Sequence, residues 1–473
     1  MSTTTKPMEL KTQSPPASTQ TNGRPGVEGS TSRTSQPVIH HQIVVVGGGA
    51  AGISAAAQLL ERKRNLDIAI VEPSDKHYYQ PGWTLVGGGI APLAKFIRDE
   101  RTVIPKGATW IQARVAELDP DHNRVITETG QVIQYDYLIM APGIQIDWHL
   151  IEGLPEALGK GGVTSNYSKD YAPYTWETIR NFKGGTAIFT YPATPIKCGG
   201  APQKIMYLAD DVFKSKSGVG VNTKVLFCTA TPTLFAVPEY SAALEKVVER
   251  RGIQVKFKHN LKAIRPETQE AIFEVTTDNG KEEVSLHYDM IHVAPPMSAP
   301  DFVKRSPLAG PGGWVDVDKA TLQHTRYPNV FSLGDASSLP TSKTAAAARK
   351  QAPVLAENLL AAMQSKPLVA RYDGYTCCPL ITSYNSLIMA EFAYNAKLAP
   401  SFPLDPTRER YSMYLAQMHL LPCWQRRAQV ARVLPEQLTG RYFWPFQAGC
   451  RLPKHGRSPF LASRTKSDCS RLS

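Results

Sequence analysis

The stretch IVVVGGGAAG, residues 43 to 52, constrains this chain more than any other feature. A β-branched run ends at once in Gly47-x-Gly49-x-x-Gly52, and a helical pattern opens inside the motif. A βαβ dinucleotide-binding unit requires this order. Gly47 permits the tight turn, Gly49 lets backbone approach a pyrophosphate, and Gly52 lets the helix pack closely on the strand. The helix N-terminus, with Ala50 and Ala51 in its first turn, then faces the phosphates. IAIVEP reads as a second buried strand and places Glu72 at its end, about 20 residues on, where a carboxylate accepts hydrogen bonds from a ribose.

The rest of the chain repeats this alternation. QIVVVGG, IAIVEP, YLIMAPG, TAIFTYP, TKVLFCTA and MIHVAPP are short apolar runs separated by helical patterns. Such runs are buried parallel strands, and two βαβ-type halves begin near Ile43 and Thr186. The expected fold class is α/β with two Rossmann-like dinucleotide-binding domains. Residues 1–40, rich in Ser, Thr, Pro and Gln, are a disordered or targeting tail that cannot bury enough apolar surface to fold. Residues 41–150 form the first part of one domain, which 320–370 complete, and 151–319 form the second. Residues 371–422 are a C-terminal segment carrying Cys377 and Cys378.

Charge isolates one more piece. The 473-residue chain has a formal net charge of +12, yet residues 423–473 hold ten Lys/Arg against two Asp/Glu. The basic balance therefore describes this divergent tail more than the body. Seven scattered cysteines make no disulfide framework, and neither CxxC nor HExxH occurs, so no metal is expected. A reducing compartment is the default, in which a disulfide is catalytic. No segment reads as a transmembrane helix. GLPEALGKGG is no phosphate loop, because its spacing is wrong and Gly161 follows the lysine. The eleven histidines show no ligand spacing, and His77 is as well explained as a structural residue.

Two later stretches bear on the nucleotide. YDYLIMAPG is an apolar strand ending in a small-residue turn, and TRYPNVFSLGD ends in Gly334-Asp335. With the glycine motif, they resemble the flavoprotein reductases that carry two dinucleotide-binding domains. That resemblance implies FAD, with Asp335 on its ribityl chain or phosphate. In the second half, AIFTYPATPIKCGGAPQK lacks GxGxxG, and Pro192 and Pro195 stiffen the loop. A thiol, Cys198, stands there instead. Near a helix N-terminus and beside Lys197 its pKa is expected to fall. Taken alone, Cys198 is also readable as a buried structural cysteine.

Longer stretches sharpen the resemblance. VEPSDKHYYQPGWTLVGGG, PIKCGGAPQKIMYL, WVDVDKATLQHTRYPNVFSLGDASSLPTSKTAAA and YDGYTCCPL resemble the mitochondrial-type sulfide:quinone oxidoreductases. The match spans about residues 42 to 422. It implies two redox cysteines flanking the flavin, Cys198 and Cys378. Cys377 becomes a bystander, because adjacent strand residues point to opposite sides. By the same resemblance Gln80 contacts the flavin and Val115 gives a backbone contact to adenine. Lys343, Thr344, Ala345 and Ala346 lie where a helix is expected to start near Thr344, with Lys343 and the helix end favouring negative charge on the cofactor.

The implied chemistry is attack of hydrosulfide on a sulfur bridge between Cys198 and Cys378. A persulfide is left on Cys378, and its sulfane sulfur passes to glutathione or sulfite. Two electrons go to FAD and then to ubiquinone. The implied setting is peripheral on the mitochondrial inner membrane, without nucleic acid. The N-terminal tail has basic residues compatible with a transit peptide, diluted by Glu9 and Glu28. The family's membrane contact uses apolar C-terminal helices, whereas residues 423–473 show no sustained apolar face. Two other readings remain: an NADH:quinone oxidoreductase of the same superfamily, and an FAD-binding isoform unable to reach membrane quinone.

Overall fold

The computed structural model describes residues 37–215 and 219–420. The expected tail over residues 423–473 and nearly all of the N-terminal one lie outside the described residues.

The β-branched run forms β1 (Ile39–Val46), whose last four residues are buried. It starts ahead of the expected boundary at residue 41, because His40 and His41 continue the ladder opposite Gln134 and Tyr135. Helix α1 (Ala50–Arg62) follows directly, and Gly52, Ala55 and Ala56 make its buried face small enough for close packing. The first sheet continues with β2 (Ile68–Val71), β3 (Ala108–Ile111), β4 (Val115–Asp119), β5 (Arg124–Thr127) and β6 (Val132–Met140). Its order is β3-β2-β1-β6-β5-β4. The β1, β2, β3 and β6 contacts are parallel, while β6, β5 and β4 form antiparallel hairpins. Ile43, Val44, Val45, Ile68 and Ile70 have no exposed surface. Each such side chain contributes about 1.5–3 kcal/mol by leaving water.

The second half makes a parallel sheet of β7 (Val163–Thr164), β8 (Gly185–Tyr191), β9 (Thr223–Thr229), β10 (Gln254–Lys256) and β11 (Met290–His292). Its order is β7-β11-β8-β9-β10. Between β8 and β9 lies α2 (Ala201–Ser215), nearly all of it buried. The chain then returns to the first sheet, where β12 (Val330–Ser332) pairs in parallel with β6. Helix α3 (Ala345–Ala362) follows and packs against α1. A final hairpin, β13 (Thr376–Ser383) and β14 (Ser386–Phe392), packs on α2. No helix among the described residues is long and apolar enough to cross a membrane.

The hairpin has two different faces. Cys378, Leu380, Ile388 and Ala390 join the core around α2, whereas Cys377, Ile381, Leu387 and Met389 join Trp83 and Leu85 in another cluster. Strand alternation alone produces this division.

The glycine turn is fixed by contact distances. Gly47 has φ +103°, and a β-carbon on Gly52 would lie 2.0 Å from the Gly47 carbonyl oxygen. Gly52→Ala is expected to cost about 1–3 kcal/mol through overpacking. Denaturant unfolding should show that loss, together with lower flavin content in the purified protein. An unchanged midpoint with full flavin content would contradict the close helix–strand contact.

Candidate active site

The C-terminal ends of the first sheet's parallel strands open on a cavity of about 1310 Å³. Gly47–Ala51, Glu72, Gln80, Gly334 and Asp335 line it. A β-carbon on Gly49 would meet nothing within 4 Å, so the backbone at this turn is open to a ligand. Gly49 caps α1 without any side-chain hydrogen bond, which leaves the helix's first N–H groups for an anion. A second helix end joins from α3, where Thr344 caps by accepting from the Ala347 N–H at 3.0 Å. Lys343, Thr344, Ala345 and Ala346 all line the cavity.

Buried polar atoms support the same use. Trp83 Nε1, Glu100 Oε1, both amide atoms of Asn166 and His292 Nδ1 have no hydrogen-bond partner among the described residues. All four side chains line this cavity. Leaving one buried polar group unpaired costs about 1–3 kcal/mol, so such a wall fits a large polar ligand. His292 is neutral, its pKa pushed down to about 3 by burial. Its Nε2 accepts from the Asn166 N–H at 3.0 Å, so Nδ1 carries the proton.

Two thiols meet at the cavity wall, and of these Cys198 lines the cavity. Cys198 sits on the loop between β8 and α2, with its N–H donating to the Lys343 carbonyl at 2.9 Å. Its backbone is left-handed at φ +53°, a conformation that costs a non-glycine residue of order 1–3 kcal/mol. Cys378, fully buried on β13, brings its Sγ to 3.0 Å from Cys198 Sγ. Both are free thiols, since a disulfide requires about 2.05 Å. Gly200 makes this approach feasible. A β-carbon there would lie 2.2 Å from Leu380 Cδ2 and 2.7 Å from Cys378 Sγ.

The pair is electrostatically asymmetric. The Cys198 thiol is held below its ordinary range, first by the hydrogen bond from Cys378 and then by Lys204, against the opposing effect of burial. Cys378 is pushed well above that range by the same hydrogen bond and by burial. Lys204 Nζ lies 3.3 Å from Cys198 Sγ. One thiolate is thus stabilised at Cys198, and the second proton stays on Cys378.

Comparisons with known proteins agree with this architecture. The family model described as pyridine nucleotide-disulphide oxidoreductase matches residues 41–174 and 215–352. A mitochondrial sulfide:quinone oxidoreductase of Mus musculus is 48% identical over 383 residues, 81% of this chain and 85% of that protein. One of Dictyostelium discoideum is 49% identical over 374 residues, 78% and 82% of the two chains. The chain belongs to the sulfide:quinone oxidoreductase family. The solved sulfide:quinone oxidoreductase of Aquifex aeolicus shares the fold, with TM-score 0.68 and 21% identity, covering 85% of this chain and 94% of that one.

Most residues singled out in the sequence converge on this cavity. Gly47, Gly49, Ala50, Ala51, Glu72, Gln80, Gly334, Asp335, Cys198 and Lys343–Ala346 line it. Gly52 instead packs helix against strand. Val115 does not line it, and its side chain is buried in the first sheet's core. Glu72 accepts from the Gly48 and Ser74 N–H groups, each at 2.8 Å.

Two expectations need correction. Lys197 is not the cation on Cys198: its Nζ donates to Gln80 Oε1 at 2.7 Å and lies over Trp83. Lys204 takes that place, because a side chain on the first turn of a helix leans back toward the N-terminus. Nor does Cys377 face away from the cavity, as a bystander opposite Cys378 would. It lines the wall, while Cys378 is hidden behind it. Asn166 and His292 carried no sequence signal, since only the folding of β7 beside β11 brings them together.

The Lys204 ammonium predicts a pH signature. A lowered pKa keeps Cys198 as reactive thiolate while pH falls below the ordinary thiol value of about 8.5. Iodoacetamide labelling of Cys198 in the reduced protein, read by mass spectrometry, should therefore persist at pH 7 and fade only in acid. In Lys204→Met its half-point is expected to rise by about 1–3 on the pH scale. Identical profiles would remove Lys204 as the counterion.

Proposed function

We propose that this protein oxidises sulfide at the Cys198–Cys378 pair and passes the electrons through FAD to a quinone. The observation that carries the reading is the 3.0 Å sulfur contact beside Lys204, at the wall of a dinucleotide-sized cavity. Gly47, Gly49, Ala50, Ala51, Glu72, Gly334 and Asp335 hold the dinucleotide. Gln80, Lys343, Thr344, Ala345 and Ala346 face its ring end. Val115 remains a backbone contact toward the adenine.

The asymmetry of the thiols supports distinct roles for them. In the oxidised pair hydrosulfide attacks the Cys378 sulfur, and Cys198 leaves as the thiolate that Lys204 stabilises. A lower leaving-group pKa speeds such exchange. The new sulfur–sulfur bond forms a persulfide on Cys378 as the bond to Cys198 breaks. Sulfide loses two electrons, and they reside on the Cys198 thiolate. FAD, when bound, supplies the two-electron carrier between this thiolate and quinone. Transfer of the outer sulfur to glutathione or sulfite frees Cys378 to pair again with Cys198. A second cavity of about 600 Å³ reaches Gly199, next to Cys198, and supports access for that acceptor.

The setting proposed is peripheral, on the mitochondrial inner membrane. Leu404, Tyr411 and Leu415 are exposed apolar side chains that follow the cavity wall Pro400–Pro403, and they support docking on a lipid surface. The quinone reading favours this surface over an NADH route, because the loop after β8 lacks a glycine fingerprint.

Anaerobic sulfide titration of the purified yellow protein tests the proposal. Flavin bleaching is expected in the parent, with reoxidation on adding a soluble quinone. Cys198→Ser and Cys378→Ser should each lose at least about 100-fold in the bleaching rate, the scale of removing an activated nucleophile. Bleaching by NADH, with none by sulfide, would overturn the assignment.

A further inference from the structure

Reduction of a quinone to a quinol takes up two protons along with two electrons. The large cavity has a wall of Cys377, Pro379, Ile381, Met389 and Phe402, apolar enough for a quinone ring. Beside this wall a buried carboxylate, Glu391, also lines the cavity and is only 4% exposed. It sits on β14 directly opposite Cys377.

Its partners are hydroxyl groups. The Tyr375 hydroxyl donates to Glu391 Oε1. The Ser401 hydroxyl donates to the same oxygen at 2.5 Å, and the Ser401 N–H donates to Oε2 at 2.9 Å. Tyr375 Oη and Ser401 Oγ are themselves 3.4 Å apart. No lysine or arginine lies within ion-pair distance of Glu391 among the described residues. Lys350 feels the charge of Glu391, and its Nζ lies 5.2 Å from the Tyr375 ring centroid. Tyr375 and Ser401 both line the cavity, and Ser401 is also exposed. A buried acid is a costly way merely to anchor a loop. Joined to two hydroxyls, it makes an unbroken run of exchangeable protons along the cavity wall, from the exposed Ser401 to Tyr375.

We infer that Ser401, Glu391 and Tyr375 form the path that delivers protons to the quinone, an inference that rests on the quinone reading above. A proton enters at Ser401 and is taken by Glu391. Glu391 passes it to the Tyr375 oxygen as Tyr375 releases its own proton to a quinone carbonyl oxygen. Tyrosine and glutamate end unchanged, and two passages supply both protons of the quinol. The two electrons come from sulfide. Tyr375 is the group that touches the substrate, while Glu391 and Ser401 act through it.

The test isolates the quinone half of the reaction. The flavin-loaded protein is photoreduced anaerobically without sulfide, then mixed with a soluble ubiquinone analogue in a stopped-flow instrument. Reoxidation is followed in H2O and D2O for the parent, Glu391→Gln, Glu391→Asp and Tyr375→Phe. The limiting rate should fall by about 100-fold or more in Glu391→Gln and Tyr375→Phe, with the half-saturating quinone concentration little changed. Glu391→Asp should recover part of the rate, and the parent should show a solvent isotope effect. Parent-like rates in Glu391→Gln, with flavin content and melting intact, would overturn the path alone. If that variant loses its flavin, Tyr375→Phe decides by the same rates. A parent that quinone does not reoxidise would overturn the quinone reading and the path with it.

Discussion

The contact between Cys198 and Cys378 joins residues 180 apart in the chain, and much of the structure serves to make it. It needs a left-handed residue at Cys198, a glycine at Gly200 and a β-hairpin packed on α2. The first two are unfavourable by themselves. A left-handed cysteine is strained, and glycine at the entry to a helix gives up side-chain packing. The buried core around Phe189, Tyr207, Phe213 and Ile388 compensates, since it fixes the hairpin against the helix from the side opposite the cavity.

That geometry explains which parts of the site were legible in the sequence. Backbone requirements leave a local mark. Gly47, Gly49 and Gly52 sit between a β-branched run and an alanine-rich helix, and the structure closes them as the spacing demands. The helix start at Thr344 is equally local, a threonine cap before alanines. Cys378 separates from Cys377 through strand alternation, which needs no tertiary information. The identity of the cation on Cys198 was not legible. Lys197 is adjacent in sequence, but the strained turn sends it to Gln80 and leaves Lys204 over the sulfur. The Asn166–His292 pair and the Glu391 network join residues far apart in the chain, so only the assembled sheets and hairpin reveal them.

Burial sets the electrostatic character of the cavity. Lys197 and Lys343 have their pKa values lowered to about 8 by desolvation, opposed by the charge of Asp335. Asp335 is raised by its own burial and held down by the two lysines. Lys343 donates to the carbonyls of Asp335 and Ser337 and stacks over Trp314, so its ammonium is positioned before any ligand arrives. Fixed cations and two helix N-termini lining the cavity both favour an anionic guest. The unpaired atoms of Trp83, Glu100, Asn166 and His292 add a cost that a bound cofactor can offset. The same groups therefore couple stability to cofactor loading.

The hairpin's two faces divide the chemistry. The face carrying Cys378 and Leu380 is buried and packed against α2. The opposite face carries Cys377, Met389 and Glu391 into the cavity, where apolar surface meets a hydroxyl–carboxylate chain open to solvent. Sulfur exchange needs exclusion of water, whereas quinone reduction needs proton supply. The two-residue period of a strand puts the buried face and the cavity face on opposite sides of one hairpin. Shifting β13 by one residue would turn Cys378 toward the cavity, and shifting β14 by one would bury Glu391 beside α2. The register Cys377 to Glu391 and Cys378 to Ala390 is thus as much a part of the active site as any side chain in it.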